Sequence, residues 1–260
     1  MTRLKLGDRV ASLFMPRWLD GDLDSEKAAA VTGTTVDGML TTYRLFDESE
    51  TVILPDHLSF AEGATLPCAA VTAWNALNGE RSVRPGDVVL TLGTGGVSTF
   101  VILFANAAGA QVIVTSSSDE KLERASALGA WRGINYVRSP DWSLRVREFT
   151  EGRGVDHVVE TAGAGTLPRS IASCAMGGRI HLVGTIAEGT LDASEILKAR
   201  VHVRGMTVGP RTSFEMMNRA MAQHQLRPVV DRVFNFDEAI EAFRQLGTQS
   251  NFGKIVIAVA

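Results

Sequence analysis

The chain has 260 residues, 45% of them hydrophobic and 21% charged, with 26 Lys and Arg against 29 Asp and Glu. That near balance excludes a nucleic-acid binder held by bulk charge and a disordered acidic tail, and the length suffices for a sizeable core in one or two domains. Two cysteines, Cys68 and Cys174, exclude a disulfide framework and a four-thiolate zinc site. Met1-Thr2-Arg3-Leu4-Lys5 has no apolar stretch behind its charges, so no secretory signal is expected and a cytoplasmic setting is.

In chain order, residues 1–56 are expected to be β-rich and irregular. Lys5-Leu6-Gly7-Asp8-Arg9-Val10 reads as a turn entering a strand, and 39–46 and 51–54 read as strands. The stretch 15–38 reads as a loop with a short helix near 25–31. Ser59 with Glu62 forms a capping-box pattern for a helix over 59–66; Pro67 is expected to interrupt it, and a second apolar helix follows over 69–77.

After the turn Arg84-Pro85-Gly86-Asp87, strands and helices alternate. Strands are expected at 88–92, 111–115, 133–136, 155–160, 179–184 and 201–208. Helices are expected at 97–108, 119–128, 143–150, 166–174 and 214–225. The tail reads as a strand over 227–234, an amphipathic helix over 237–246 and a last strand over 253–259. Such βα alternation implies an α/β fold with a doubly wound parallel sheet.

Between Asp87 and Asp119 lie 31 consecutive uncharged residues, longer than the roughly 20 needed to span a bilayer. The run holds Gly93, Gly95, Gly96 and Gly109 and divides into three short pieces of different period. It is expected to be a buried βαβ unit, because strands covered on both faces read as continuous apolar runs.

Leu92-Gly93-Thr94-Gly95-Gly96-Val97-Ser98, between the first strand and helix of that unit, gives G-x-G-x-x-S. A tight turn at Gly93 and close backbone approach at Gly95 would set a pyrophosphate over the helix N-terminus, where the dipole favours an anion. The third position mainly serves helix–strand packing, for which Ser98 is small enough. Dinucleotide binding is expected; the alternative is the same turn in a Rossmann-like methyltransferase. At the end of the second strand, where NAD enzymes place an acid for the ribose hydroxyls, stand Ser116, Ser117 and Ser118, with Lys121 beyond. This favours NADP(H), whose 2′-phosphate an acid would repel. The serines are also suited to capping the next helix, and both roles can hold together.

These segments, with Leu66-Pro67-Cys68-Ala69-Ala70-Val71-Thr72-Ala73-Trp74, Thr115-Ser116-Ser117-Ser118-Asp119-Glu120-Lys121 and Phe252-Gly253-Lys254-Ile255-Val256, resemble the medium-chain dehydrogenase/reductase superfamily over essentially the whole chain. The resemblance is strongest to its zinc-independent quinone oxidoreductase, or zinc-type alcohol dehydrogenase-like, branch. It implies an incomplete GroES-like β-rich catalytic domain over 1–56, a Rossmann NADP-binding domain over 57–225 and a return to the catalytic domain over 226–260. It also implies that the early strands of the catalytic domain would precede Met1, so that the chain is N-terminally truncated.

The resemblance assigns the pyrophosphate to Gly93, Thr94, Gly95, Gly96 and Val97, and the 2′-phosphate to Ser116 and Lys121. It sets Tyr136 beside the adenosine ribose and Thr72 near the nicotinamide. Ala162 and Gly163, with Val183, Gly184 and Thr185, would line the cofactor, as would Phe252 and Lys254; Phe252 is equally suited to a core role. Cys68 matches a zinc ligand of zinc alcohol dehydrogenases, but with no second thiolate or ligand-spaced histidine it is expected to be a buried structural cysteine, and no metal is expected. The five histidines, 57, 157, 181, 202 and 224, read as surface or satisfied core residues.

The implied activity is NADP(H)-dependent hydride transfer to a small-molecule quinone, α,β-unsaturated carbonyl, or alcohol/aldehyde partner. The alternatives are an NADP(H)-binding protein with impaired turnover and a zinc-dependent alcohol dehydrogenase. Catalytic residues are not assigned. A homodimer is expected, with 201–208 as the candidate edge strand; no nucleic-acid or membrane partner is.

Overall fold

The computed structural model describes residues 3–259. They form two compact units: unit one runs up to Asn75 and resumes at Val208, and unit two is Ala76–Thr207. The sequence reading places the divisions at 56 and 225; in the structure residues 57–75 and the helix that follows 208 group with the flanking unit.

In unit one, β1 (Val10–Ser12) pairs antiparallel with β2 (Thr51–Ile53). Between them α1 (Ser25–Ala28) is capped by Asp24, which accepts the Lys27 N–H at 2.9 Å. The strand expected over 39–46 does not form. A strand persists only where a neighbour takes its backbone bonds. Here β1 and β2 pair with each other, and Met39, Leu40, Tyr43 (91% exposed) and Leu45 (98%) face solvent.

The capping box is present: in α2 (Phe60–Gly63) the Ser59 Oγ accepts the Glu62 N–H at 3.2 Å, and Glu62 Oε2 accepts the Ser59 N–H at 2.7 Å. Pro67 is not what ends α2, which already stops at Gly63. It sits in the first turn of a π-helical turn, Leu66–Ala70, that runs straight into α3 (Val71–Asn78), a position where a missing N–H costs nothing.

Unit two follows the expected alternation. Its elements are β3 (Val88–Leu92), α4 (Gly96–Ala107), β4 (Gln111–Ser116), α5 (Asp119–Ala127), β5 (Arg132–Asn135), α6 (Trp142–Phe149), β6 (Val155–Glu160), α7 (Leu167–Ser173), β7 (Cys174–Leu182), α8 (Ala193–Ala199) and β8 (His202–Gly205). The six strands form one parallel sheet in the order β5-β4-β3-β6-β7-β8. The order reverses between β3 and β6, which makes the carboxyl ends of those strands the switch point where ligands of open α/β sheets bind. The uncharged run is β3-α4-β4 and the approach to α5, and no described helix is long and apolar enough to cross a membrane.

One face of the sheet packs Leu90, Ile113, Ile134, Val158 and Ile180 against Trp142 and Val146 of α6 and Leu167 and Ile171 of α7. Each fully buried aliphatic side chain contributes about 1.5–3 kcal/mol. The helix α8, absent from the sequence reading, is capped by Asp192, which accepts the Ser194 N–H at 2.8 Å.

Unit one resumes with α9 (Arg211–His224), β9 (Val230–Asn235), α10 (Ala239–Gly247) and β10 (Lys254–Ala258), the two strands pairing in parallel. The apolar stripe of α10, Ile240, Phe243 and Leu246, faces solvent, with Phe236 beside it.

Candidate functional site

The switch point of unit two is built from the turn after β3. Gly93 has φ +73°, a conformation glycine adopts without strain, and a Cβ on Gly93 or Gly95 would meet no atom within 4 Å. Gly95 is the N-cap of α4 and offers no side-chain cap, so the first amides of that helix are left for an external acceptor. Gly96 and Val97 are half-buried beside it and Thr94 is buried. Open space over an uncapped twelve-residue helix fits a pyrophosphate.

The strand end beneath the turn is held by hydroxyls. Leu92 O accepts Ser98 Oγ–H at 2.8 Å and Thr161 Oγ1–H at 2.5 Å, and the Gly93 N–H donates to Thr115 Oγ1 at 3.3 Å. Ser98 therefore does more than fit where a third glycine would stand: it ties the helix to the strand it follows.

At the end of β4, Ser116 is buried and its Oγ accepts the Ser118 N–H at 3.2 Å, while Ser118 caps α5 by accepting the Lys121 N–H at 3.3 Å. Capping thus falls to Ser118, and Ser116 keeps its hydroxyl proton for another acceptor. Tyr136, just past β5, lies beside this turn, its N–H donating to Ser116 O at 3.0 Å. Its side chain is exposed.

The loops after β6 and β7 carry Ala162, Gly163, Val183, Gly184 and Thr185. They are laced together: the N–H groups of Val183 and Gly184 donate to Glu160 O at 2.9 and 3.0 Å, and those of Ile186 and Ala187 donate to Ala162 O at 2.9 and 2.8 Å. Sequence reasoning missed the residue that organises the first loop. Glu160, fully buried at the end of β6, accepts the N–H of Ala162 (3.0 Å) and Gly163 (3.1 Å) and the hydroxyl of Thr166 (2.8 Å) on Oε1, and the Ser170 hydroxyl on Oε2. Such a set of donors is what a buried carboxylate requires. A glutamate closing the strand, directly after Val158 and Val159, was the available signal.

In unit one, Thr72 is buried and donates to Cys68 O at 2.7 Å. Cys68, expected to be buried, is exposed, although its packed surroundings raise the thiol pKa and Lys254 pulls it the other way. Cys174 is the buried cysteine, its thiol pushed up to about 12 by burial. Phe252 lies in the core. Next to it Gly253 has φ +83°, and a Cβ there would stand 2.5 Å from Val229 O. That close approach lets the Lys254 N–H reach Val229 O at 2.9 Å as β10 begins. Among the described residues no group of three His, Cys, Asp or Glu side chains is arranged to hold a metal ion.

Comparison with known proteins agrees with this geometry. Residues 96–223 match the zinc-binding dehydrogenase family model. A zinc-type alcohol dehydrogenase-like protein of Schizosaccharomyces pombe is 44% identical over 261 residues, covering 97% of this chain and 75% of that protein. A crystal structure from Sinorhizobium meliloti 1021, provisionally named an alcohol dehydrogenase, superposes with a TM-score of 0.93 at 42% identity, over 99% of this chain and 76% of that one. A solved NAD-dependent alcohol dehydrogenase gives 0.87 at 33%, over 98% and 76%. The chain thus spans about three quarters of the length of these proteins, and it belongs to the medium-chain dehydrogenase/reductase superfamily, as an oxidoreductase of the zinc-type alcohol dehydrogenase-like kind.

Proposed function

We propose that the chain binds NADP(H) in unit two and reduces a quinone or an α,β-unsaturated carbonyl compound. The observation that carries the reading is the uncapped N-terminus of α4 under an open glycine turn at the sheet's switch point. Gly93 to Val97 would hold the pyrophosphate through backbone amides. Glu160 would keep the 161–166 loop in one shape, so that Ala162 and Gly163 present backbone rather than side chain to the cofactor, with Val183 to Thr185 alongside. The nicotinamide, when bound, supplies the hydride; Thr72 is assigned to its side of the cofactor, and Phe252 and Lys254 to the cofactor's lining. One solved neighbour is NAD-dependent, so the preference for the phosphorylated cofactor rests on this chain's own Ser116, Lys121 and Tyr136, with no acid in Ser116–Ser118.

The test is titration of the purified chain with NADPH and NADH, then NADPH oxidation with a quinone and an enone. Saturable NADPH binding with turnover is expected, and binding of neither nucleotide would sink the reading. Exposed Tyr43, Leu45, Ile240 and Phe243 favour a second reading, in which unit one is an imperfect catalytic partner and the chain binds cofactor without turnover. Tight NADPH binding with no oxidation of either substrate type selects it.

We also propose a homodimer paired through β8, one of the two edge strands of the sheet. Sedimentation at micromolar concentration should show a dimer, and monomer alone would refute this pairing.

A further inference from the structure

We infer that Arg138 masks Asp119 and thereby lets the adenosine end of unit two accept a 2′-phosphate. The inference rests on the dinucleotide reading above and concerns which cofactor that site selects.

Strands β4 and β5 run side by side with Ser116 opposite Asn135. Past the strand ends, Asn135 works as a clamp. Its Nδ2 donates to Asp119 Oδ1 at 2.8 Å and to Ser117 O at 3.4 Å, while its Oδ1 accepts the N–H of Val137 at 3.0 Å and of Arg138 at 3.4 Å. The turn 135–138 is thus fastened over the start of α5. The Arg138 guanidinium comes to rest on Asp119 Oδ2, which it engages through Nη2.

The acid matters because of where it stands. Asp119 is the first residue of α5, directly after Ser116–Ser118. An unmasked carboxylate there would repel a phosphate dianion and could accept hydrogen bonds from bare ribose hydroxyls instead. Asn135 Nδ2 fixes its Oδ1 beside the turn. Arg138 cancels the carboxylate charge. The guanidinium also has donors to spare, because a planar fork of five N–H groups that spends one nitrogen on Asp119 can still turn the others to phosphate oxygens.

Both side chains can be reached from solvent, Arg138 at 74% and Asp119 at 43% exposure. An exposed pair of this kind is a weak tie. A phosphate, with more charge and three acceptor oxygens, can therefore draw the guanidinium toward itself without dismantling the fold. Nothing in the core depends on either side chain, so substitutions read selectivity rather than folding.

The experiment measures the dissociation constants of NADPH and NADH by fluorescence titration for four proteins: wild type, Arg138→Gln, Asp119→Asn and the double variant. Wild type is expected to prefer NADPH. Arg138→Gln should weaken NADPH about tenfold and leave NADH within about twofold. The double variant should recover part of the NADPH affinity, because the charge that Arg138 masks is then gone while the guanidinium's own donors to the phosphate are still missing. Asp119→Asn alone should bind NADPH at least as tightly as wild type. If Arg138→Gln leaves the ratio of the two constants unchanged while wild type binds NADPH, this inference falls and the proposed function stands. The same holds if the double variant is as weak as the single. If wild type binds neither nucleotide, both fall.

Discussion

Gly184→Ala should destabilise unit two by about 3 kcal/mol or more and remove dinucleotide binding. A Cβ at Gly184 would lie 1.8 Å from Thr161 O, 2.2 Å from Thr161 C and 2.8 Å from Ala162 N. All three are backbone atoms of the loop that follows β6, and none can swing aside as a flexible side chain does. That loop is also fixed from below: Ala162 and Gly163 are tethered to the buried Glu160 carboxylate, and the Gly184 N–H itself donates to Glu160 O. The methyl group must push the 161–166 and 183–187 segments apart, breaking the bonds of Ile186 and Ala187 to Ala162 O. The same crowding recurs one step out, where a Cβ on Gly165 would come within 2.7 Å of Glu188 O and one on Gly189 within 2.8 Å of Gly165. Thermal unfolding followed by circular dichroism, with NADPH titration of the folded protein, reads both effects. Gly205→Ala in β8 is the control: nothing lies within 4 Å of its Cβ position, and a change within about 0.5 kcal/mol is expected. Equal melting temperatures for the two variants would contradict the close loop packing.

What the sequence made legible follows from what is local. The glycine turn, the serines after β4 and the alternation of apolar strands with helices are contiguous patterns, and the six-stranded sheet could be read from them. The strand expected over 39–46 failed because its apolar residues describe a surface suited to pairing, and pairing depends on a neighbour elsewhere in the chain. Pro67 was misread because proline breaks a helix interior but suits a first turn, and only the structure shows which it occupies. The helix α8 did carry a signal, Asp192 before Ala193-Ser194-Glu195, an N-cap with an acid in the first turn.

The rest of the candidate site was hidden because it depends on how loops fold back and strands pair, which no contiguous pattern states. The donors to Glu160 come from residues 162, 163, 166 and 170, spread over a loop and a helix. The Arg138–Asp119 pair depends on a turn held by Asn135. Two histidines 24 residues apart meet only because β6 and β7 are neighbours.

That histidine pair sets the last expectation: stability should fall as pH is lowered from about 6.5 toward about 4, and should be insensitive to these residues above that window. In the register of β6 and β7, His157 stands opposite Arg179 and Val159 opposite His181, so the two imidazoles are diagonal neighbours on one face. Their rings stack with planes 8° apart, and His157 Nδ1 lies 3.2 Å from His181 Nε2. Arg81 Nη1 is 3.0 Å from His157 Nε2. A guanidinium can only donate, so His157 Nε2 must accept, the His157 proton must sit on Nδ1, and His181 Nε2 must accept in turn. Both rings are therefore neutral, and protonating either acceptor breaks the chain.

Burial is the main cause of the shifts. With Arg81 it pushes His157 down to about 4, against the opposing pull of Asp87 and Asp156 and with a further push from Arg179; with His157, Arg204 and Arg179 it pushes His181 down to about 3. Above about 6.5 the folded and unfolded chains carry the same number of protons at these sites. Below it the unfolded chain binds protons that the folded chain refuses, so acidification favours unfolding until the folded pKa is reached. His157 alone accounts for on the order of 3 kcal/mol across the window. Denaturant unfolding at pH 7, 5.5 and 4.5, on wild type and on His157→Gln/His181→Gln, separates this from the carboxylates, which titrate in both proteins. The double variant should lose most of the slope between pH 6.5 and 4.5. An unchanged slope would mean that these rings already carry protons in the fold, and that the Arg81–His157–His181 chain does not run in the direction assigned.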